Sequence, residues 1–133
     1  MSTKAMIITL DLKKNRIRIY KSTLELLGRP RNIHILVNPA DRKLIIRPTV
    51  PGKKASLKIN YKTVAECEFY SRQLIEHLSV LLPQNDPEFS YRISGRLVPE
   101  QGFALFDIDT ATAIESPPDD ENTDTTRSNA NEY

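Results

Sequence analysis

Apolar and polar residues alternate through most of positions 6–49. In 6–12 (MIITLDL) Met6, Ile8, Leu10 and Leu12 fall on every second residue, the period of a strand with one buried face. The run RIRIYK repeats the pattern, with Ile17 and Ile19 on one side and Arg16, Arg18 and Tyr20 on the other. Between the two runs KKN reads as a polar turn, and Asn15 tolerates the positive φ that a tight hairpin needs. The next stretch, KSTLELLG, predicts a short helix with Ser22 or Thr23 as N-cap and Gly28 as its stop. Two further alternating runs, NIHILVN and RKLIIRPT, flank PADR and predict a second hairpin. The expected order of this first unit is β-β-α-β-β.

After VPGKK, which reads as a linker, the pattern changes. ASLKIN predicts one more short strand with Leu57 and Ile59 on a common face. TVAECEFYSRQLIEHLSVLLP predicts the one long helix: Thr63 and Glu66 form a capping box, Pro83 marks the end, and Cys67, Tyr70, Leu74, Leu78 and Leu81 make a helical stripe. A hairpin then follows, with Phe89, Tyr91 and Ile93 alternating, PEQG at its turn and a return strand from Phe103 to Ile108. From about Ser116 the chain has almost nothing apolar and predicts a disordered acidic tail. No internal repeat is evident. The expected fold is α+β: a basic hairpin unit over 1–50, a strand-helix-hairpin half over 55–110 and a tail over 111–133.

Length and composition restrict the function. A chain of 133 residues, 39% hydrophobic and 27% charged, fits one soluble domain with a modest core. Its apolar runs are too short to span a bilayer, and the N-terminus lacks the features of a secretory signal, so a cytoplasmic location is expected. Cys67 is the only cysteine, which excludes an intramolecular disulfide and a cysteine-built zinc site. His34 and His77 are too few and too scattered for a metal or proton-relay site, the four glycines form no phosphate loop, and pairing Cys67 with His77 is excluded by their separation on the predicted helix. Asp107 and Asp109 share a strand face, an arrangement that most often sits in solvent. No catalytic residue, metal or cofactor is expected, and the chain does not read as an enzyme.

Charge adds the strongest signal. Residues 1–60 contain 14 Lys and Arg against 3 acids, and residues 61–133 contain 5 against 14, so the halves carry +11 and −9. That asymmetry points to a polyanionic partner for the basic half, or to two halves that neutralise each other.

The run RIRIYKSTLELLG from Arg16 to Gly28, followed by RPRNIHILVNPADRKLII, resembles the swapped-hairpin domain of the AbrB, SpoVT and MraZ family of DNA-binding transcription factors. In that family a G-R-[IV]-x-I-P pattern precedes a short helix ending in L-G and two more strands. Here Asn15 and Tyr20 stand at the usual glycine and proline, and Leu24 and Glu25 stand where AbrB carries a basic pair. Over residues 6–47 the resemblance implies a dimer of interleaved hairpins presenting basic side chains to DNA, with Arg16 at the family's DNA-contacting arginine.

The expected function is a small nucleic-acid-binding regulator, with duplex DNA favoured, acting as a homodimer through the basic N-terminal hairpin face. Its candidate contacts are Lys13, Lys14, Arg16, Arg18 and Lys21, with Arg29 and Arg31 as a second tier. The alternative is a protein-binding inhibitor or adaptor from a phage or mobile element, docking on a nucleic-acid enzyme through its acidic C-terminal half. On the first reading the cations of the β-hairpin point to solvent, and replacing them leaves stability nearly unchanged.

Overall fold

The computed structural model describes residues 6–62, 66–84 and 86–115. Alternation becomes strand wherever it is strong: β1 (Met6–Asp11), β2 (Arg16–Tyr20), β3 (Asn32–Asn38), β4 (Lys43–Thr49), β7 (Phe89–Val98) and β8 (Phe103–Asp107). To these are added β5 (Leu57–Lys58), β6 (Glu66–Tyr70), β9 (Thr112–Glu115), the helices α1 (Lys21–Leu26) and α2 (Arg72–Ser79), and a 3-10 turn over Ile108–Thr110. Asn15 does take positive φ, at 53°. The nine strands of the described residues join one curled antiparallel sheet, ordered β5-β3-β4-β8-β7-β1-β2-β6, with β9 alongside β7.

The protein is therefore mostly β, 48% strand and 16% helix, rather than the α+β fold with a long helix that the apolar stripe predicts. The difference arises at ECEFY. Cys67 and Phe69 face inward against Ile19 and Ile17 of β2, whereas Glu66, Glu68 and Tyr70 face outward, so the segment follows the strand period. Pairing with β2 outweighs the helical spacing, and the helix starts only at Ser71, whose hydroxyl accepts from the Leu74 N–H at 3.2 Å as the N-cap. Thr63, half of the expected capping box, lies outside the described residues. The first helix differs at its start as well: Tyr20 is its N-cap and no side chain caps it. Residues 112–115, assigned to the tail, form β9, while the tail from Ser116 lies outside the described residues.

The inner face of the sheet holds the core. Met6, Ile8, Leu10, Ile17, Ile19, Ile33, Leu44, Ile46, Tyr91, Ile93 and Phe106 are essentially inaccessible, and Leu24 of α1 and Ile75 and Leu78 of α2 close over them. Full burial of side chains of this kind contributes roughly 1.5–3 kcal/mol each.

The strand order also shows a repeat that the sequence conceals. The β3–β4 and β7–β8 hairpins meet through β4 and β8, with β5 and β1 outside them, so the six-strand run β5-β3-β4-β8-β7-β1 has the same arrangement on both sides of its centre, and β2 and β6 continue beyond β1. A shift of 60 residues carries Ile33, Val37, Leu44 and Ile46 onto Ile93, Leu97, Ala104 and Phe106, matching their places in the two hairpins. It also carries the Pro39 turn onto the Pro99 turn, where Arg42 and Gly102 take positive φ of 55° and 74°. A shift of 50 carries Arg16–Tyr20 onto Glu66–Tyr70, and the β2–β6 ladder is symmetric about the pair Arg18 and Glu68. Identities such as Tyr20/Tyr70, Leu24/Leu74 and Ile33/Ile93 are few because the repeat preserves inward volume and turn geometry rather than residue type. Gly95 illustrates this: its partner is Phe106, and a Cβ there would meet the Phe106 ring at 2.4 Å, whereas the first half fills the equivalent places with Ile35 and Ile46.

Candidate nucleic-acid interface

The cations of the N-terminal hairpin separate into two groups. Lys13 and Lys14 are exposed at the β1–β2 turn, where the Lys14 N–H donates to the Asp11 carboxylate at 3.1 Å. Arg16 and Arg18 leave the inner face as their alternation requires, but β6 lies beside them. Arg16 donates to Asp11 at 2.9 Å and sits 3.5 Å from Glu68, with its side chain only 13% exposed. Arg18 reaches Glu66 at 3.2 Å and Glu68 at 2.8 Å. Partial burial acts to lower the Arg16 pKa, but Glu68, a hydrogen bond with Tyr70 and Asp11 outweigh it, so the guanidinium is held protonated beyond its usual range. These two arginines form a ladder across β2 and β6, with their charge directed at protein carboxylates.

The remaining predicted residues lie on other elements. Lys21 opens α1. Arg29 follows that helix with positive φ of 54°, lies 3.6 Å from Glu25 and stacks 4.4 Å over the Tyr61 ring. The Tyr61 hydroxyl donates to the Pro30 carbonyl at 2.5 Å, and burial raises its pKa above the ordinary tyrosine value against the lowering pull of Arg29. Arg31 is exposed, and its carbonyl accepts from Ile59 N–H at 2.9 Å, which ties it to the chain leaving β5. Thus Arg29 and Arg31 stand beside β5, whereas the Lys13–Lys14 turn adjoins α2 through the Ser71 N–H bond to the Asn15 carbonyl, 2.9 Å. The seven residues do not form one patch.

A denser cluster lies at the edge made by β3, β4 and β5. Residues 26–65 contain nine Lys and Arg against a single acid, Asp41. Register places Lys58 opposite Asn32 and Arg47 opposite His34, and the outward side chains of these pairs share one face. The 50–56 turn folds back on that face: His34 Nε2 donates to the Lys54 carbonyl at 2.9 Å, Asn32 donates to Ser56 Oγ at 2.8 Å, and the Ser56 N–H to the Lys53 carbonyl at 3.1 Å. His34 Nδ1 is buried with no hydrogen-bond partner among the described residues. Arg31, Arg47, Lys53, Lys54, Lys58 and Lys62 are all exposed, and among the described residues none makes an ion pair. Arg47, Lys53, Lys54, Lys58 and Lys62 do not stand out from alternation alone. Their signal in the sequence is the absence of any Asp or Glu between Asp41 and Glu66.

The groups weighed for chemistry are separated or already engaged. Cys67 is buried on β6 with its thiol towards the Asn60 carbonyl, and His77 is exposed on α2, so they lie on different elements instead of one helix. Asp109 pairs with Arg42 at 2.6 Å and Asp107 with Lys43 at 3.3 Å, so neither carboxylate is merely solvated. Among the described residues no group of three or more metal-ligating side chains occurs, and no helix is long and apolar enough to cross a membrane. Neither a family model, nor a curated protein, nor a solved structure matches the chain.

Proposed function

We propose that the chain is a small cytoplasmic nucleic-acid-binding regulator that holds the phosphate backbone of duplex DNA on the basic β3–β4–β5 edge. The observation that carries this reading is the group of six exposed cations, Arg31, Arg47, Lys53, Lys54, Lys58 and Lys62, with no carboxylate paired to them among the described residues. Phosphate contacts release condensed counterions, so such an edge supplies affinity that depends steeply on salt. Among the described residues the two large exposed aromatics, Tyr70 and Phe89, belong to β6 and β7, away from this edge, which favours a duplex over a single strand stacked on aromatic rings. The resemblance of residues 6–47 to swapped-hairpin DNA-binding domains supports the same class of partner, with the contacts moved from Arg16, which faces Asp11 and Glu68, to the opposite edge. The adaptor reading has less support, because the acids Glu66, Glu68, Asp107 and Asp109 are engaged with Arg18, Arg16, Lys43 and Arg42.

The test is fluorescence anisotropy of labelled duplex DNA, single-stranded DNA and duplex RNA at several salt concentrations. The reading expects log K for the DNA duplex to fall linearly with log salt, with a slope of about −0.9 per phosphate neutralised. It also expects duplex DNA to bind more tightly than the single strand. Absence of binding at low salt would contradict the reading.

A further inference from the structure

We propose that the two halves of this chain are charge-coded for each other, so that the seam at β2–β6 and β4–β8 accepts the chain's own second half and rejects a second copy of the first. Among the described residues five ion pairs join the halves: Arg16–Glu68, Arg18–Glu66, Arg18–Glu68, Arg42–Asp109 and Lys43–Asp107. Every one runs from a cation before residue 60 to an acid after it. The other three ion pairs, Arg16–Asp11, Arg29–Glu25 and Arg72–Glu76, stay within one half.

The repeat shows what these charges exclude. Because the β2–β6 ladder is centred on Arg18 and Glu68, pairing β2 with another β2 in the same register would set Arg18 against Arg18 and Arg16 against Tyr20. Pairing β6 with β6 would set Glu68 against Glu68. The second seam follows the same rule. Lys43 faces Asp107, whose equivalent in the first half is Arg47, so two β4 strands in that register would oppose Lys43 and Arg47. Like charges directly across a ladder are destabilising, and such a cost against the wrong partner is how closely similar surfaces achieve specificity. The backbone register by itself is compatible with all three pairings, and the side-chain charges oppose the two like pairings. The +11 and −9 balance of the halves is thus partly a matching code. On this proposal the chain completes its own sheet as a monomer, in place of the homodimer expected from the sequence. This inference is independent of what the basic edge binds.

The test uses the full chain with Asp11→Asn throughout, so that the four ladder charges alone vary while the residue 11 side-chain oxygen still accepts from Lys14 N–H. Variants R16E/R18E and E66R/E68R each make the ladder carry one sign, and R16E/R18E/E66R/E68R reverses it. The D11N parent is expected to sediment as a monomer at micromolar concentration. Each double variant is expected to melt about 5 °C or more lower, and the quadruple variant to regain most of that loss as a monomer. Refolded together in equal amounts, the two double variants are expected to form a complex containing one chain of each, seen by native mass spectrometry, because each then supplies the half that the other needs. A dimeric parent, double variants that melt like the parent, or a quadruple variant as unstable as either double would each overturn the proposal. The quadruple variant decides the matter even if the double variants do not fold, since a ladder that serves only as packing would not recover on reversal.

Discussion

Laid on one another, the two halves of the sheet bury matching positions and present different charges. Ile33, Leu44 and Ile46 have their counterparts in Ile93, Ala104 and Phe106, all inaccessible. On the outer face Arg16, Arg18 and Arg47 correspond to Glu66, Glu68 and Asp107. The inner face must fill a closed volume, so substitutions there compensate in pairs. The outer face has no such constraint. The second half uses it to neutralise the seam, and the first half keeps an acid-poor edge at β5. The same residue type therefore does different work in different places: an arginine on β2 joins the halves, and an arginine or lysine around β5 remains available to a partner.

The largest expected effect tests the paired volumes. Gly95→Ala places a Cβ 2.4 Å from the Phe106 ring and 2.5 Å from the Leu105 carbonyl, and should cost roughly 2–3 kcal/mol in denaturant unfolding, as overpacked cores do. Adding Phe106→Leu should return part of that loss, since the smaller side chain approaches the arrangement of Ile35 and Ile46. Full additivity of the two changes would show that the inward positions do not compensate.

Next comes the seam. Arg16→Ala removes the ion-pair partner of Asp11, whose side chain is 8% exposed, and should destabilise by about 2 kcal/mol, between the values for exposed and buried pairs. Arg18→Ala, at 23% exposure, should cost about 1 kcal/mol. The sequence alone leads to the opposite expectation, that these arginines are replaceable without loss of stability, and the two melts decide between them. By contrast, K53A/K54A/K58A should leave stability within about 0.5 kcal/mol while making the salt slope of duplex binding shallower by up to about 0.9 for each phosphate left without its lysine. Equal melting losses for the two sets of variants would erase the distinction between seam and edge.

A more local effect concerns Tyr61, whose hydroxyl links the chain after β5 to Pro30. Tyr61→Phe should cost about 1 kcal/mol. Because burial raises this phenol's pKa in the folded state, its contribution to stability is complete below the ordinary tyrosine range and is lost as pH rises through the raised value. An alkaline absorbance titration should therefore lose a late-ionising component in the variant.

Much of the sheet is legible in the sequence because alternation is a local signal: β1, β2, β3, β4, β7 and β8 all fall where inward and outward residues alternate. The long helix is not, because Cys67, Tyr70 and Leu74 satisfy helical spacing even though residues 66–70 extend and the helix begins only after Ser71. Five residues are too few for period alone to separate the two, and the deciding interaction, pairing with β2, lies about fifty residues away in sequence. The same distance conceals the fate of Arg16 and Arg18. Their outward direction is readable, but Glu66 and Glu68 opposite them are not. The basic edge escapes for a related reason. Lys53 and Lys54 sit in a stretch that reads as a linker, and only the pairing of β5 with β3 brings them beside Arg47 and His34.

Lysine footprinting tests the central claim most directly, because all nine lysines fall between Lys4 and Lys62. The intact protein is acetylated with and without saturating duplex DNA at low salt, and modification at each lysine is read by mass spectrometry. The account predicts DNA-dependent protection at Lys53, Lys54, Lys58 and Lys62, and none at Lys43, which is held by Asp107. Protection centred on Lys13, Lys14 and Lys21 with the β5 lysines unchanged would contradict it, placing the contact on the N-terminal hairpin.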